Sequence, residues 1–243
     1  MASTVQELWL VRHGESVGNV AATQAEVTGA EVIALDTRDA DVPLSSTGVE
    51  QARALGAPLR AAAETPQIAW LSPYVRAQQT FALSVEDGPA IGRVLIDERL
   101  RDRELGVLDL LTRRGVAARH PQEAERRAHL GKYYHRPPGG ESWADVALRL
   151  RSFLRDASDS DARVGLVVAH DAVVMLIVAL LVGMDEPRLL QFAAAHTVLN
   201  ASVTRLRFDG EGWQLGDFSD VRHLEQLGAR VTVHPGSPDV RPE

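Results

Sequence analysis

A doubly wound α/β fold, with a mostly parallel central sheet and helices on both faces, is what this sequence predicts. Three observations carry the prediction. Short apolar runs of strand length alternate along the chain with longer amphipathic stretches. The run at 165–169 (GLVVA) is almost continuously apolar, as a strand buried on both faces of a parallel sheet must be. The chain has 243 residues, 45% hydrophobic and 24% charged, which is enough material to bury one large core.

Taken in order, residues 7–11 (ELWLV) form a short apolar strand that ends in a Gly-containing turn. After a polar stretch, residues 43–63 read as one helix, with Thr47 and Glu50 spaced as a capping box. Residues 67–71 form a second strand. Ser72 and Pro73 then suit the N-cap and first turn of a helix running to about residue 83. A short strand follows at 94–96. Residues 101–140 are charged, less regular and closed by Pro137-Pro138-Gly139-Gly140, and so read as a lid-like insertion. Residues 143–156 repeat Val146, Leu150, Phe153 and Leu154 at helical spacing. The 165–169 strand leads into a helix at 173–181. Strands at 201–208 and 213–218 flank an Asp209-Gly210 turn. The whole reads as a single domain over residues 1–230, with a frayed tail at 231–243.

Composition narrows the chemistry. Net charge is −7, so nothing global favours nucleic acid or an anionic membrane. An anionic ligand would need a local basic pocket. The chain has no cysteine, which removes disulfides, thiol nucleophiles and thiolate metal sites. His120, His129 and His135 lack ligand spacing for zinc, and no metal or cofactor is expected. The longest apolar run, 172–183, is about a dozen residues, too short for a bilayer. No secretory leader pattern opens the sequence, and the simplest expectation is a cytoplasmic protein.

Three strand-to-helix junctions carry unusual polar residues: Arg12-His13-Gly14-Glu15, Ser72-Pro73-Tyr74-Val75-Arg76 and Ala169-His170-Asp171. In a doubly wound sheet, ligands bind at the carboxyl ends of the strands. If the three strands are parallel neighbours, two arginines and two histidines converge. A neutral imidazole can attack phosphorus. Two guanidiniums can fork around phosphoryl oxygens, and a second imidazole can donate to them. One decoy stands nearby. Gly14-Glu15-Ser16-Val17-Gly18 matches the nucleophile elbow of serine hydrolases, but only one strand precedes it and that strand stops near Arg12.

The motif Arg12-His13-Gly14-Glu15-Ser16 with Asn19 resembles the signature of the histidine phosphatase, or phosphoglycerate mutase-like, superfamily. Residues 43–52 (PLSSTGVEQA), 72–80 (SPYVRAQQT) and 167–170 (VVAH) resemble its later blocks, in the right order over roughly residues 7–225. Pro138-Gly139-Gly140-Glu141-Ser142 is also similar to family members. The resemblance implies a metal-independent phosphomonoesterase acting on a small phosphorylated substrate through a phosphohistidine on His13. By the same resemblance Arg12, Arg76 and His170 complete the phosphate pocket, and Ser16 and Asn19 line its entrance. The family also uses an acid placed four residues before a glycine. Counting back from Gly106 gives Asp102, where a glutamate is usual. Glu104 and Asp171 stay open as alternative proton donors, since acid phosphatase and phytase branches use an Asp in a His-Asp pair. Mutases of this fold resemble one another in a lid with paired arginines, which 131–138 (GKYYHRPP) lacks. A mutase and a non-catalytic phosphate-ligand binder are the competing readings. Relatives allow a homodimer, although the sequence carries no interface signature.

Overall fold

The computed structural model describes residues 5–86 and 88–234. Among these, six strands form one sheet: β1 (Glu7–Arg12), β2 (Ile68–Leu71), β3 (Arg93–Ile96), β4 (Val164–Ala169), β5 (Val203–Phe208) and β6 (Trp213–Leu215). Their order is β3-β2-β4-β1-β5-β6. The β3-β2-β4-β1 block is parallel, and the β5–β6 hairpin closes one edge antiparallel to β1. The three strands expected to meet are therefore adjacent, with β4 between β1 and β2 and their carboxyl ends at one edge.

Among the described residues, ten helices accompany the sheet: α1 (Val17–Thr28), α2 (Ser46–Ala54), α3 (Gly56–Arg60), α4 (Val75–Val85), α5 (Arg113–Arg119), α6 (Pro121–Tyr134), α7 (Trp143–Ser158), α8 (Asp171–Val182), α9 (Glu186–Ala195) and α10 (Arg222–Gln226). Strand alternation sorts the core into two layers. Leu8, Leu10 and Val167 face α7 and α8. Trp9, Val11 and Val168 face α2, α3 and α4. Both sheet faces are covered, which is why β4 is buried along its whole length.

Several local expectations change. The helix predicted over 43–63 is two, α2 and α3, and its cap is Ser45, whose hydroxyl accepts from Gly48 N at 3.0 Å. Thr47 lies one residue inside the helix. α4 starts at Val75 with Tyr74 at the N-cap, so Ser72 and Pro73 stand outside it. The 101–140 segment is helical for half its length, through α5 and α6. The tail expected to fray from 231 is packed as far as the described residues go. Thr232 and His234 are buried, and Gln51 Nε2 donates to Thr232 Oγ1 at 2.9 Å. Residues 235–243 of that expectation lie outside the described residues.

Candidate active site

The first junction is built by two glycines. A Cβ on Gly48 would sit 1.9 Å from the Glu15 carbonyl oxygen, and one on Gly14 would sit 2.6 Å from the Gly48 carbonyl oxygen. Only hydrogens fit there, so α2 packs directly on the turn after β1. Thr80 on α4 holds Gly14 N at 3.0 Å, and His13 N donates to Ala169 O at 2.9 Å. The turn is thereby fastened to β4, α2 and α4.

That turn fixes the His13 tautomer. Nδ1 lies 2.7 Å from the Gly14 carbonyl oxygen, which only accepts, so Nδ1 carries the hydrogen and Nε2 presents its lone pair. Arg76 Nε points at Nε2 from 3.3 Å. Burial first, then the positive charges of Arg76, His170 and Arg12, hold the His13 pKa well below the usual histidine range. The ring is neutral at physiological pH and able to act as a nucleophile.

His170 caps α8 at the end of β4 and is fully buried. Ser72 Oγ lies 2.7 Å from its Nε2. Its Nδ1 lies 3.3 Å from Asp102 Oδ2, a Coulombic contact, yet has no hydrogen-bond partner. The rings of His13 and His170 meet edge to face at 5.2 Å. Burial lowers the His170 pKa, with Asp102 pulling against it. Arg12 is buried beside them. It donates to Val198 O at 2.5 Å and to His234 O at 2.8 Å, and its Nε is unpartnered.

Arg76 stands in the first turn of α4. Asp39, from the 3-10 turn Asp39–Asp41, takes the outer end of its guanidinium. The Asp39 carbonyl and Oδ1 accept from Nη1 at 2.6 and 3.0 Å, and Oδ2 accepts from Nη2 at 3.3 Å. The Nε edge is left facing His13, and Nη2 also reaches Asp102 Oδ2 at 3.1 Å. Asp102 thus touches both Arg76 and His170. Burial alone would raise its pKa, but His170 and Arg76 outweigh burial and hold the carboxyl well below its ordinary value.

The segment carrying Asp102 is anchored from behind. Gly106 has φ +56°, and a Cβ there would meet Pro138 O at 2.1 Å. Glu141 accepts from Arg101 at 2.7 Å, Arg149 at 2.9 Å and Glu104 N at 3.2 Å, while Arg149 Nη2 donates to the Asp102 carbonyl at 3.1 Å. The 138–142 motif therefore acts as the mount for 101–106.

The expected residues do not all meet. Arg12, His13, Arg76, His170 and Asp102 come together. Glu104 instead accepts from Tyr74 Oη at 3.1 Å, and Asp171 exerts the largest charge effect on Arg12. Ser16 departs from its expected place at the entrance. It is buried, and its hydroxyl caps α1 by accepting from Asn19 N. Asn19 Oδ1 returns the bond to Ser16 N and also accepts from Asn200 at 3.2 Å, leaving only its amide nitrogen outside the cap. The same cap accounts for the serine-hydrolase decoy. Sequence reasoning missed Asp39, Tyr74, Ser72 and Asn200. Ser72 and Tyr74 sat inside a recognised block, but nothing in the run 36–41 (DTRDAD) marked Asp39.

The model of the histidine phosphatase superfamily (branch 1) matches residues 8–221. The chain belongs to this superfamily. Among its relatives, a 2,3-bisphosphoglycerate-dependent phosphoglycerate mutase of Gloeobacter violaceus is 36% identical over 60% of this chain and 61% of its own length. A 6-phosphofructo-2-kinase/fructose-2,6-bisphosphatase of Caenorhabditis elegans is 31% identical over 72% of this chain but only 34% of itself. The match thus spans less than two thirds of either protein. A metal-independent phosphoserine phosphatase of Arabidopsis thaliana is 28% identical over 93% of this chain and 86% of itself. Among solved structures, a mycobacterial glucosyl-3-phosphoglycerate phosphatase in complex with VO3 superposes with a TM-score of 0.70, at 25% identity, covering 89% of this chain and all of that one. The histidine phosphatase fold is thus matched across nearly the whole chain. No helix among the described residues is long and apolar enough to cross a membrane.

Proposed function

We propose that this histidine phosphatase hydrolyses phosphomonoesters through a covalent phosphohistidine on His13. The observation that carries the reading is the His13 ring, neutral, locked by Gly14 O and facing Arg76 through Nε2. Nε2 attacks phosphorus, and the P–O bond to the alcohol breaks on the opposite side. Arg12 and Arg76 hold the phosphoryl oxygens, and His170 Nδ1 donates to one of them. The N-termini of α4 and α8 add favourable dipole ends. Charge neutralisation by these side chains requires no metal.

Asp102 is the proton donor in this scheme. Its support is contact with both Arg76 and His170. Before substrate arrives Asp102 is ionised. The incoming phosphoryl dianion raises the proton affinity of the Asp102–His170 pair, which takes up a proton as the substrate seats. Asp102 passes it to the leaving oxygen, then as carboxylate takes a proton from the water that cleaves phosphohistidine. Asn19 contributes its amide nitrogen at the edge of the pocket. A cytoplasmic setting belongs to the same reading. So does a homodimer, supported by the exposed edge strand β3 with Val94, Leu95 and Ile96 open to solvent.

The test is hydrolysis of p-nitrophenyl phosphate in the presence of chelator. Turnover that survives chelator and vanishes in His13→Ala supports the enzyme. Tight phosphoester binding without turnover supports a binding protein instead. The mutase relative keeps phosphoryl transfer to a second alcohol as the other reading. It is disfavoured because Lys132 lies over the Trp143 ring at 4.2 Å and Arg136 pairs with Asp145 at 2.8 Å, so both cations of 131–138 face α7. Isomerisation of a phosphoglycerate without release of inorganic phosphate would reverse that preference.

A further inference from the structure

The two arginines of the pocket are held by opposite means. Arg76 meets His13 through Nε and two carboxylates, Asp39 and Asp102, through its Nη groups. Arg12 is held by backbone. Its Nη1 donates to Val198 O and its Nη2 to His234 O, at 2.5 and 2.8 Å. A carbonyl orients a guanidinium without cancelling its charge, whereas a carboxylate does both. Arg12 is therefore the pocket cation aimed by neutral acceptors alone among its described hydrogen bonds.

Val198 is fixed close by, since Ala201 N donates to Arg12 O at 3.1 Å. The second carbonyl comes from 222 positions along the chain and needs its own anchors. Residues 230–234 are extended, with Thr232 and His234 buried and Val233 between them 61% exposed. The His234 ring is clasped on both sides. Its Nε2 lies 2.7 Å from Glu15 Oε2, and its Nδ1 lies 2.6 Å from Thr23 Oγ1 on α1. A carboxylate only accepts, so Nε2 donates to Glu15. Ser45 Oγ steadies the other Glu15 oxygen at 2.6 Å. Gln51 accepts from Glu15 N at 2.8 Å and donates to Arg230 O and Thr232 Oγ1 at 2.7 and 2.9 Å. The same turn that carries Arg12 and His13 thus also carries, through Glu15, the clasp that sets the His234 carbonyl.

We propose that His234 is a positioning residue for phosphoryl binding: its clasped ring fixes the carbonyl that aims Arg12. The inference rests on Arg12 being a phosphoryl ligand and adds the element that orients it. Without the clasp, Nη2 loses its acceptor and the guanidinium must reorder when the phosphoryl group arrives. Affinity for the phosphoryl group falls, while the nucleophile and its tautomer, set by Gly14 O, are untouched.

The experiment measures KM and kcat with p-nitrophenyl phosphate, Ki for inorganic phosphate, and Tm. His234→Ala should raise KM and the phosphate Ki together by about 10-fold, with kcat changed less. His234→Gln keeps a donor for Glu15 and should recover most of that loss. Thr23→Val removes only the exposed side of the clasp and should raise Ki by about 2–3-fold. If His234→Ala does not fold, these two milder variants carry the comparison. A double-mutant cycle separates positioning from fastening. In an Arg12→Ala background, His234→Gln and His234→Ala should change kcat/KM by less than about 2-fold, because the group they act through is gone. A residue that merely fastens the chain would lower Tm and add its full effect in both backgrounds. An unchanged phosphate Ki in the His234 and Thr23 variants, or full additivity with Arg12→Ala, overturns the inference. If Arg12→Ala itself leaves phosphate binding and turnover intact, the underlying assignment of Arg12 falls first.

Discussion

The floor and the mouth of this site are made differently. The floor consists of Arg12, His13, Arg76 and His170, all buried and set at the ends of adjacent parallel strands or in the first turn of the following helix. The mouth consists of Asp39 and Glu104, neither of them buried, carried by a 3-10 turn and a loop. The sheet can hold a nucleophile to within a fraction of an ångström, which phosphoryl transfer needs. A loop carboxylate needs only to be near its target, since a charge acts at several ångströms. The nucleophile and its partners accordingly sit on the rigid part, and the exposed carboxylates on segments that can change at little cost to the fold.

That division can be broken by substitutions. His13→Ala should lower kcat/KM by roughly 10⁴-fold or more for every substrate. Arg76→Ala should cost about 10²–10³-fold, again uniformly. A floor substitution that changed substrate preference instead would erase the distinction. Asp102→Asn should cost about 10²–10⁴-fold with poor alkoxide leaving groups and much less with p-nitrophenyl phosphate, whose leaving group needs no proton. An equal loss on both would move the acid role elsewhere, with Asp171→Asn the next variant to assay.

Stability offers two finer tests. Gly48→Ala forces a Cβ onto the Glu15 carbonyl, and chemical denaturation should show a loss of about 2–4 kcal/mol. Burial lowers the pKa of His13, His170, His135 and His223. Below the unfolded-state value of about 6.5 the unfolded chain binds protons that the folded chain refuses. Stability is therefore full above that pH and falls as pH drops through it. Tm should decline from about pH 7 to about pH 5, and His13→Asn should decline less steeply. A Tm that rose on acidification would contradict the neutral, buried nucleophile.

Legibility followed the amount of apolar surface an element buries. α7 buries six residues and α8 seven, and both were readable as helices. α1, α5, α6 and α9 bury one residue each, so no apolar stripe announced them. The floor was legible because strand, turn and helix signals sit beside each polar residue in sequence. Asp102 was reached only by counting back from Gly106, and the bonds of Glu141 and Arg149 hold that segment in place. Asp39 was illegible, because its contact with Arg76 is made by a turn with no buried residue and no local pattern. The packed end of the tail was hidden for a related reason. It is held by hydrogen bonds with Gln51, Arg12 and Glu15, residues distant in the sequence.

The covalent step decides the account most directly. Wild-type protein is mixed with a ³²P-labelled phosphomonoester, quenched in alkali within milliseconds and digested for mass spectrometry. The expected result is an alkali-stable, acid-labile phosphoryl group on Nε2 of His13, forming and decaying at rates compatible with turnover and missing in His13→Ala. Turnover at full rate with His13 unlabelled, or label carried by any other residue, would contradict it.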